Sequence, residues 1–159
     1  MTRVWRLCRR RHAAFDGEGA RLYGGRWNRP GTRLVYTSGD AALAVVEFFV
    51  NLEPVDAPDD LVLIAAEIPD SVPIDDGPRL RGSWRTYPAP DRLARIGSDW
   101  ARRNAAAVLS VPSAIIPVAR NYLLNPRHPD FSAIAIGRPQ PFTLDPRFWK
   151  RRIEQRRIK

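Results

Sequence analysis

Between Ala41 and Val50 the chain runs through nine apolar residues and a single carboxylate, Glu47. The stretch predicts a helix over 41–52, because Ser38-Gly39-Asp40 just before it offers an N-cap. A charged group on a face that should be buried loses several kcal/mol in desolvation unless a partner compensates it. The nearest candidate partner is Arg26, within Tyr23-Gly24-Gly25-Arg26-Trp27-Asn28. The two glycines permit positive φ and a close approach of backbone to a ligand. Two readings follow. Either Arg26 and Glu47 form a structural ion pair among core aromatics, or Arg26, Glu47, Tyr23 and Tyr36 shape a pocket for an anionic, aromatic ligand.

Length bounds the fold around that helix. A chain of 159 residues is read as one domain with a sizeable core. Fifteen prolines point to a loop-rich globular fold. Cys8 stands alone, which excludes an intramolecular disulfide framework and any multi-cysteine metal site. With no apolar run of transmembrane length and no signal-peptide pattern after Met1, the expectation is a soluble, cytoplasmic protein without membrane contact.

The formal charge of +9 invites a nucleic-acid reading, so its distribution matters. Five arginines and no acid lie in residues 1–12, and six Lys or Arg face only Glu154 in residues 150–159. The body between them is close to neutral. Basic ends are usually solvated arms or partner contacts, and no helix-turn-helix, zinc-finger or RNP pattern accompanies them. A boundary is placed after residue 149, with 150–159 a basic tail.

In chain order, Val4 to Leu7 alternates and predicts a short first strand, followed by a polar connection through His12 and a loop over Phe15 to Gly19. Arg33 to Thr37 reads as a strand opening after Pro30-Gly31. Glu53-Pro54 closes the helix, and Val55 to Asp60 reads as an acidic linker. Leu61 to Ile68 has the character of a central strand, and 69–90, with five prolines, of a long irregular connection. Asp91 to Ala107 predicts a second helix. Val108 to Ile116 predicts a strand that Pro112 makes an edge or bends. Asn121 to Pro129 reads as a polar loop, and Phe131 to Ile136 and Phe142 to Leu144 as two further strands.

The residue types limit the chemistry. His12 and His128 lack the context for a Ser/His/Asp triad, no phosphate-binding glycine motif follows a strand, and no carboxylate–histidine cluster suggests a metal. Arg, Tyr, Glu and Ser remain. That set suits cleavage of an N-glycosidic bond, where a carboxylate stabilises an oxocarbenium-like transition state and an arginine fork holds a diphosphate.

Five motifs in order carry a family resemblance. They are Tyr23-Gly24-Gly25-Arg26-Trp27-Asn28 with Gly31, Val35-Tyr36-Thr37-Ser38, Glu47, Val111-Pro112-Ser113-Ala114-Ile115-Ile116-Pro117, and Asn121 to Asn125 with His128 to Phe131. Together, over about residues 3–147, they resemble the RES domain, named for an Arg, a Glu and a Ser. The resemblance implies an α+β fold with a mixed sheet like the ADP-ribosyltransferase core. It implies a toxin that consumes NAD+ by hydrolysis or phosphorolysis and is restrained by an Xre-type antitoxin, DNA being reached only through that partner. Some members transfer ADP-ribose to a protein, which is the rival within enzymes. A non-catalytic module recruiting nucleic acid through basic ends is the rival outside them. Carried over, Arg26 and Glu47 match the family arginine and glutamate, Tyr23 and Tyr36 the tyrosines of the NAD+ pocket, and Asn125 a further contact. The Val-Pro-Ser pattern favours Ser113 over Ser110 for the serine, with a role in bonding the nicotinamide ribose or amide.

Overall fold

The longest ladder in the protein joins its first strand to its most hydrophobic one. β1 (Thr2–Arg9) pairs antiparallel with β3 (Leu61–Ile68) over eight positions, from Thr2 opposite Ile68 to Arg9 opposite Leu61. This pairing extends the first strand at both ends beyond the four residues whose alternation is visible in the sequence. The computed structural model describes residues 1–52 and 58–148. The predicted helix stop and part of the acidic linker, at 53–57, and the basic tail lie outside the described residues.

Around that ladder stand β2 (Val35–Ser38), β4 (Ile74–Asp76), β5 (Val108–Pro112), β6 (Arg120–Leu124), β7 (Ala135–Ile136) and β8 (Gln140–Pro141). The sheet runs β4-β5-β6-β2-β1-β3-β7, with β8 also on β3. Among the described residues β4 and β5 form the one parallel pair, so the sheet is mixed. Among the described residues three α-helices complete an α+β fold: α1 (Glu18–Tyr23), α2 (Ala41–Val50) and α3 (Asp91–Arg103).

Several elements differ from expectation for identifiable reasons. The predicted loop over 121–129 begins with β6, which holds two neighbours at once: Tyr36 opposes Leu123 from β2, and Leu109 opposes it from β5. Two fully buried leucines, Leu123 and Leu124, outweigh the polar residues around them. β5 stops at Pro112, is flanked on both sides, and is therefore no edge. Where the sequence predicts a strand from Phe131, Pro129 opens a 3-10 helix (Pro129–Ala133) whose first turn is capped by His128 Nδ1 accepting from the Asp130 N–H. Strand pairing resumes only at β7. The last strand falls at β8, while Phe142 and Leu144 pack beside α2 in the core. α1 begins inside the predicted 15–19 loop, and α3 ends at Arg103, short of the predicted Ala107, because the next residue, Asn104, turns into the left-handed region at φ 54°.

The two sheet faces bury different clusters. Val4, Cys8, Val62, Ile64, Ala66, Val108 and Leu124 share one. On the other, α2 lays Ala44, Val45 and Phe48 over Leu7 and Leu61, and α3 lays Leu93 and Trp100 over Leu109, Val111 and Leu123. α3 reaches the segment before β2 through Gly97: a Cβ there would lie 1.7 Å from the Trp27 carbonyl oxygen. Gly97→Ala should therefore destabilise the protein by about 1–3 kcal/mol through overpacking. Gly19→Ala, on α1 with nothing within 4 Å of the new Cβ, should be neutral or stabilising. Urea melts of the two variants check the contrast.

Candidate active site

Glu47 occupies the flank of α2, roughly a quarter turn from the stripe of Ala44, Val45 and Phe48 that faces the core. Asp40 Oδ1 accepts from the Leu43 N–H and fixes the start of the helix, as the sequence predicts. From the flank the carboxylate meets the sheet. Its Oε1 accepts 2.7 Å hydrogen bonds from Ser113 Oγ and from Asn121 Nδ2. Asn121 on β6 is in turn oriented by Ser38 Oγ of β2, which donates to its Oδ1 at 2.8 Å and is its register partner. Ser113 lies just past β5 in a turn closed by its own N–H on the Ala119 carbonyl. Its hydroxyl accepts from the N–H groups of Ile115 and Ile116, both at 3.1 Å.

The two candidate serines have different surroundings. Ser110 faces the opposite side of β5, where Arg120 donates to its hydroxyl and its carbonyl. Ser113 alone reaches Glu47.

Arg26 stands at the apex of a tight hairpin in which Gly25 and Asn28 bridge. The positive φ expected of the glycines is found at Gly24, while the close approach is to the protein's own Tyr36 rather than to a ligand. Gly24 adopts φ 70°, and Gly25 passes so close to Tyr36 that a Cβ would lie 2.7 Å from its hydroxyl. That hydroxyl accepts from the Trp27 N–H at 3.0 Å and donates to Asn28 Oδ1 at 2.6 Å. Asn28, itself buried, donates to the carbonyls of Ala20, Arg29 and Thr32. Burial pushes the Tyr36 phenol well above its ordinary pKa, so it stays a neutral donor.

Arg26 and Glu47 do not form the direct ion pair of the structural reading. The guanidinium donates to the carbonyls of Trp84 and Thr86, at 3.0 and 3.2 Å, and among the described residues it has no carboxylate partner in a salt bridge. Partial burial lowers its pKa, while the negative charge of Glu47 opposes that shift. The two charges thus act on each other without a direct salt bridge. Tyr23, the last residue of α1, is 81% exposed just before this hairpin. Asn125 is not brought to the group. It lies four positions along from Asn121, about 13 Å at strand spacing. Its amide donates to Ala101 O and Asn104 Oδ1, and its Oδ1 accepts from the Arg127 N–H. It lines a separate hollow of about 520 Å³ with Arg33, Arg102 and Arg127.

Sequence reasoning assigns no site role to Asn121, Asn28, Ser38 or the 84–86 stretch. Asn121 and Asn28 are visible inside the motifs. Ser38 stands both in a motif and in the stretch read as the helix cap, and nothing marks residues 84–86 within a proline-rich connection. No group of three or more His, Cys, Asp or Glu side chains among the described residues could hold a metal ion. No helix among them is long and apolar enough to cross a membrane.

The fold thus presents a carboxylate held at one oxygen and a guanidinium held by backbone carbonyls, with no carboxylate salt-bridge partner for it among the described residues. The chain belongs to the RES domain family, whose sequence pattern matches residues 3–145. It is 34% identical over 151 residues to "Toxin Res" of Yersinia enterocolitica, covering 91% of this chain and 97% of that one. It is 36% identical over 154 residues to the "Prs ADP-ribosylating toxin" of Sphingobium sp., covering 92% and 96%. Among solved structures, a chain of the M. tuberculosis MbcT–MbcA toxin–antitoxin complex superposes with a TM-score of 0.70 over 94% of this chain and 87% of that one, at 16% identity. The fold is therefore shared with a chain of that complex.

Tyr36→Phe isolates the hydroxyl from the ring. It strands the Trp27 N–H and Asn28 Oδ1, and should lower stability by about 1–3 kcal/mol in denaturant melts.

Proposed function

We propose that this protein is a toxin of a toxin–antitoxin pair that consumes NAD+ by breaking the bond between nicotinamide and ribose. The observation that carries the reading is the pairing of opposite charges without contact: Glu47 held at Oε1 by Ser113 and Asn121, and Arg26 held by neutral carbonyls. NAD+ presents the complement, a cationic nicotinamide ribose beside an anionic diphosphate. In the proposed reaction the C–N bond breaks and its electron pair leaves with nicotinamide. The ribose carbon gains positive charge, which Glu47 stabilises. Water or inorganic phosphate then adds to that carbon, giving ADP-ribose or its phosphorylated form. Arg26 offers a planar fork to the diphosphate or ribose. Tyr23 is free to lie over the ligand from α1, and Tyr36 shapes the nicotinamide side while holding the Arg26 hairpin. A direct bond from Ser113 to the nicotinamide, implied by the family resemblance, would require its hydroxyl to leave Glu47.

The name of the Sphingobium relative favours a second reading, transfer of ADP-ribose to a protein through the same site. Incubating the protein with NAD+, with and without phosphate, separates the outcomes. ADP-ribose marks hydrolysis, a phosphorylated ADP-ribose marks phosphorolysis, and labelled protein marks transfer. No release of nicotinamide in any arm would defeat the reading.

Glu47→Gln should keep the fold and lose on the order of 100-fold or more in NAD+ turnover, the usual consequence of removing a preorganised electrostatic group. Arg26→Lys keeps the charge and loses the fork to Trp84 and Thr86, so NAD+ binding measured by calorimetry should weaken clearly. Equal affinity would limit Arg26 to balancing Glu47.

A chain that consumes a central cofactor requires restraint, and the likeness of fold to a chain of the MbcT–MbcA toxin–antitoxin complex supports an antitoxin partner. The reading includes an Xre-type antitoxin that covers the site and supplies the DNA contact. An acidic or hydrogen-bonding segment of it would meet Arg26. Antitoxin inhibition titrated at several NAD+ concentrations should weaken as NAD+ rises. Inhibition indifferent to NAD+ would place the partner elsewhere.

A further inference from the structure

We propose that Ser113 and Asn121 are positioning residues: they bind Glu47 by Oε1 alone and present Oε2 as the oxygen that meets the ribose. The inference rests on the NAD+ reading above and assigns Ser113 a role different from ligand binding.

Hydrogen-bond capacity decides it. A serine hydroxyl has one donor and two acceptor sites. Ser113 uses both acceptors on the N–H groups of Ile115 and Ile116, and its single hydrogen therefore goes to Glu47 Oε1. The residue is 0% exposed, so nothing of it remains to meet a ligand. Asn121 is oriented by its neighbour. Its Oδ1 takes the Ser38 hydrogen, which turns Nδ2 toward the carboxylate. A flipped amide would set an oxygen against Oε1. Both donors converge on one oxygen at 2.7 Å, the length of charge-assisted bonds. Among the described residues no donor hydrogen-bonds Oε2.

The supports are themselves anchored. Asn121 is paired in register with Ser38 on one side and Val111 on the other. The Ser113 turn is gripped from outside by Arg85, whose Nε donates to Ala114 O at 2.9 Å. A carboxylate fixed this way needs no reorganisation as positive charge develops beside Oε2.

Two pairs of substitutions test this by steady-state NAD+ kinetics. Ser113→Ala should lower kcat on the order of 100-fold through misplacement of the carboxylate, with KM little changed. Ser113→Thr, which keeps the hydroxyl but must find room for a methyl, should retain more turnover than Ser113→Ala. Asn121→Asp keeps the shape and replaces the donor with a second negative charge. It should be worse than Asn121→Ala and should recover on acidification, when the new carboxyl can donate a proton to Oε1. If the side chains only fill space, the order reverses in both pairs and the pH profile stays that of the parent. A Ser113→Ala variant impaired mainly in KM would show that the hydroxyl binds substrate. Either result overturns the proposal. If the parent releases no nicotinamide, the functional reading fails by itself, and thermal melts still judge the network. The losses in Tm from Asn121→Ala and Glu47→Ala should be non-additive in the double variant; additive losses would show that the two side chains do not hold each other.

Discussion

A carboxylate set into a helix of alanine, valine, leucine and phenylalanine needs donors to replace the water it gives up, and this structure brings two of them to one oxygen. Those donors come from different strands. Asn121 belongs to β6, Ser113 to the turn leaving β5, and Ser38, which orients Asn121, ends β2 just before α2 starts. The register of three adjacent strands and the cap of one helix must all be correct for Glu47 to be satisfied. The hydrogen bonds thus link local order in α2 to the topology of the sheet. A one-residue slip of β6 would point Asn121 at the opposite face and leave Oε1 with one donor fewer.

The Arg26 hairpin is likewise built on neutral groups. Tyr36 lies two residues before Ser38 on β2, so the strand that orients Asn121 also supplies the hydroxyl that closes the hairpin. Gly25 leaves room for that hydroxyl, and Asn28 completes the inner hydrogen bonds. Trp27 then turns inward to the cluster under α3, where Gly97 admits its carbonyl, and Arg26 is left at the apex. Packing at Gly97 and geometry at Arg26 are coupled through a single residue, Trp27.

This arrangement explains what could be read in the sequence. α2, its Asp40 cap and β3 were legible because each is written in contiguous residues: an apolar run, a capping side chain, a boundary of turn residues. Arg26, Glu47 and Ser113 stood out through residue type and motif order, and the structure brings Glu47 and Ser113 into contact. β6 was not legible. Its strand character comes from Leu123 and Leu124 being claimed by partners more than a dozen residues away on either side, which no local window contains. The partner of Arg26 failed for the same reason. Carboxylates are conspicuous in a sequence, whereas the backbone carbonyls of Trp84 and Thr86, which hold it in the fold, are carried by every residue.

The choice of carbonyls over a carboxylate has a chemical consequence. A direct Arg26–Glu47 bridge would saturate both charges and leave each of them partly neutralised before any ligand arrived. Here one short stretch holds both sides apart. The carbonyls of Trp84 and Thr86 take the Arg26 guanidinium, while Arg85 between them reaches across to the carbonyls of Ala114 and Ile115, which follow Ser113. Residues 84–86 therefore hydrogen-bond both the Arg26 guanidinium and the turn that follows Ser113. Neutral hydrogen bonds position the guanidinium without cancelling its charge, so its attraction to Glu47 remains available, and a ligand carrying both signs can satisfy the two groups together.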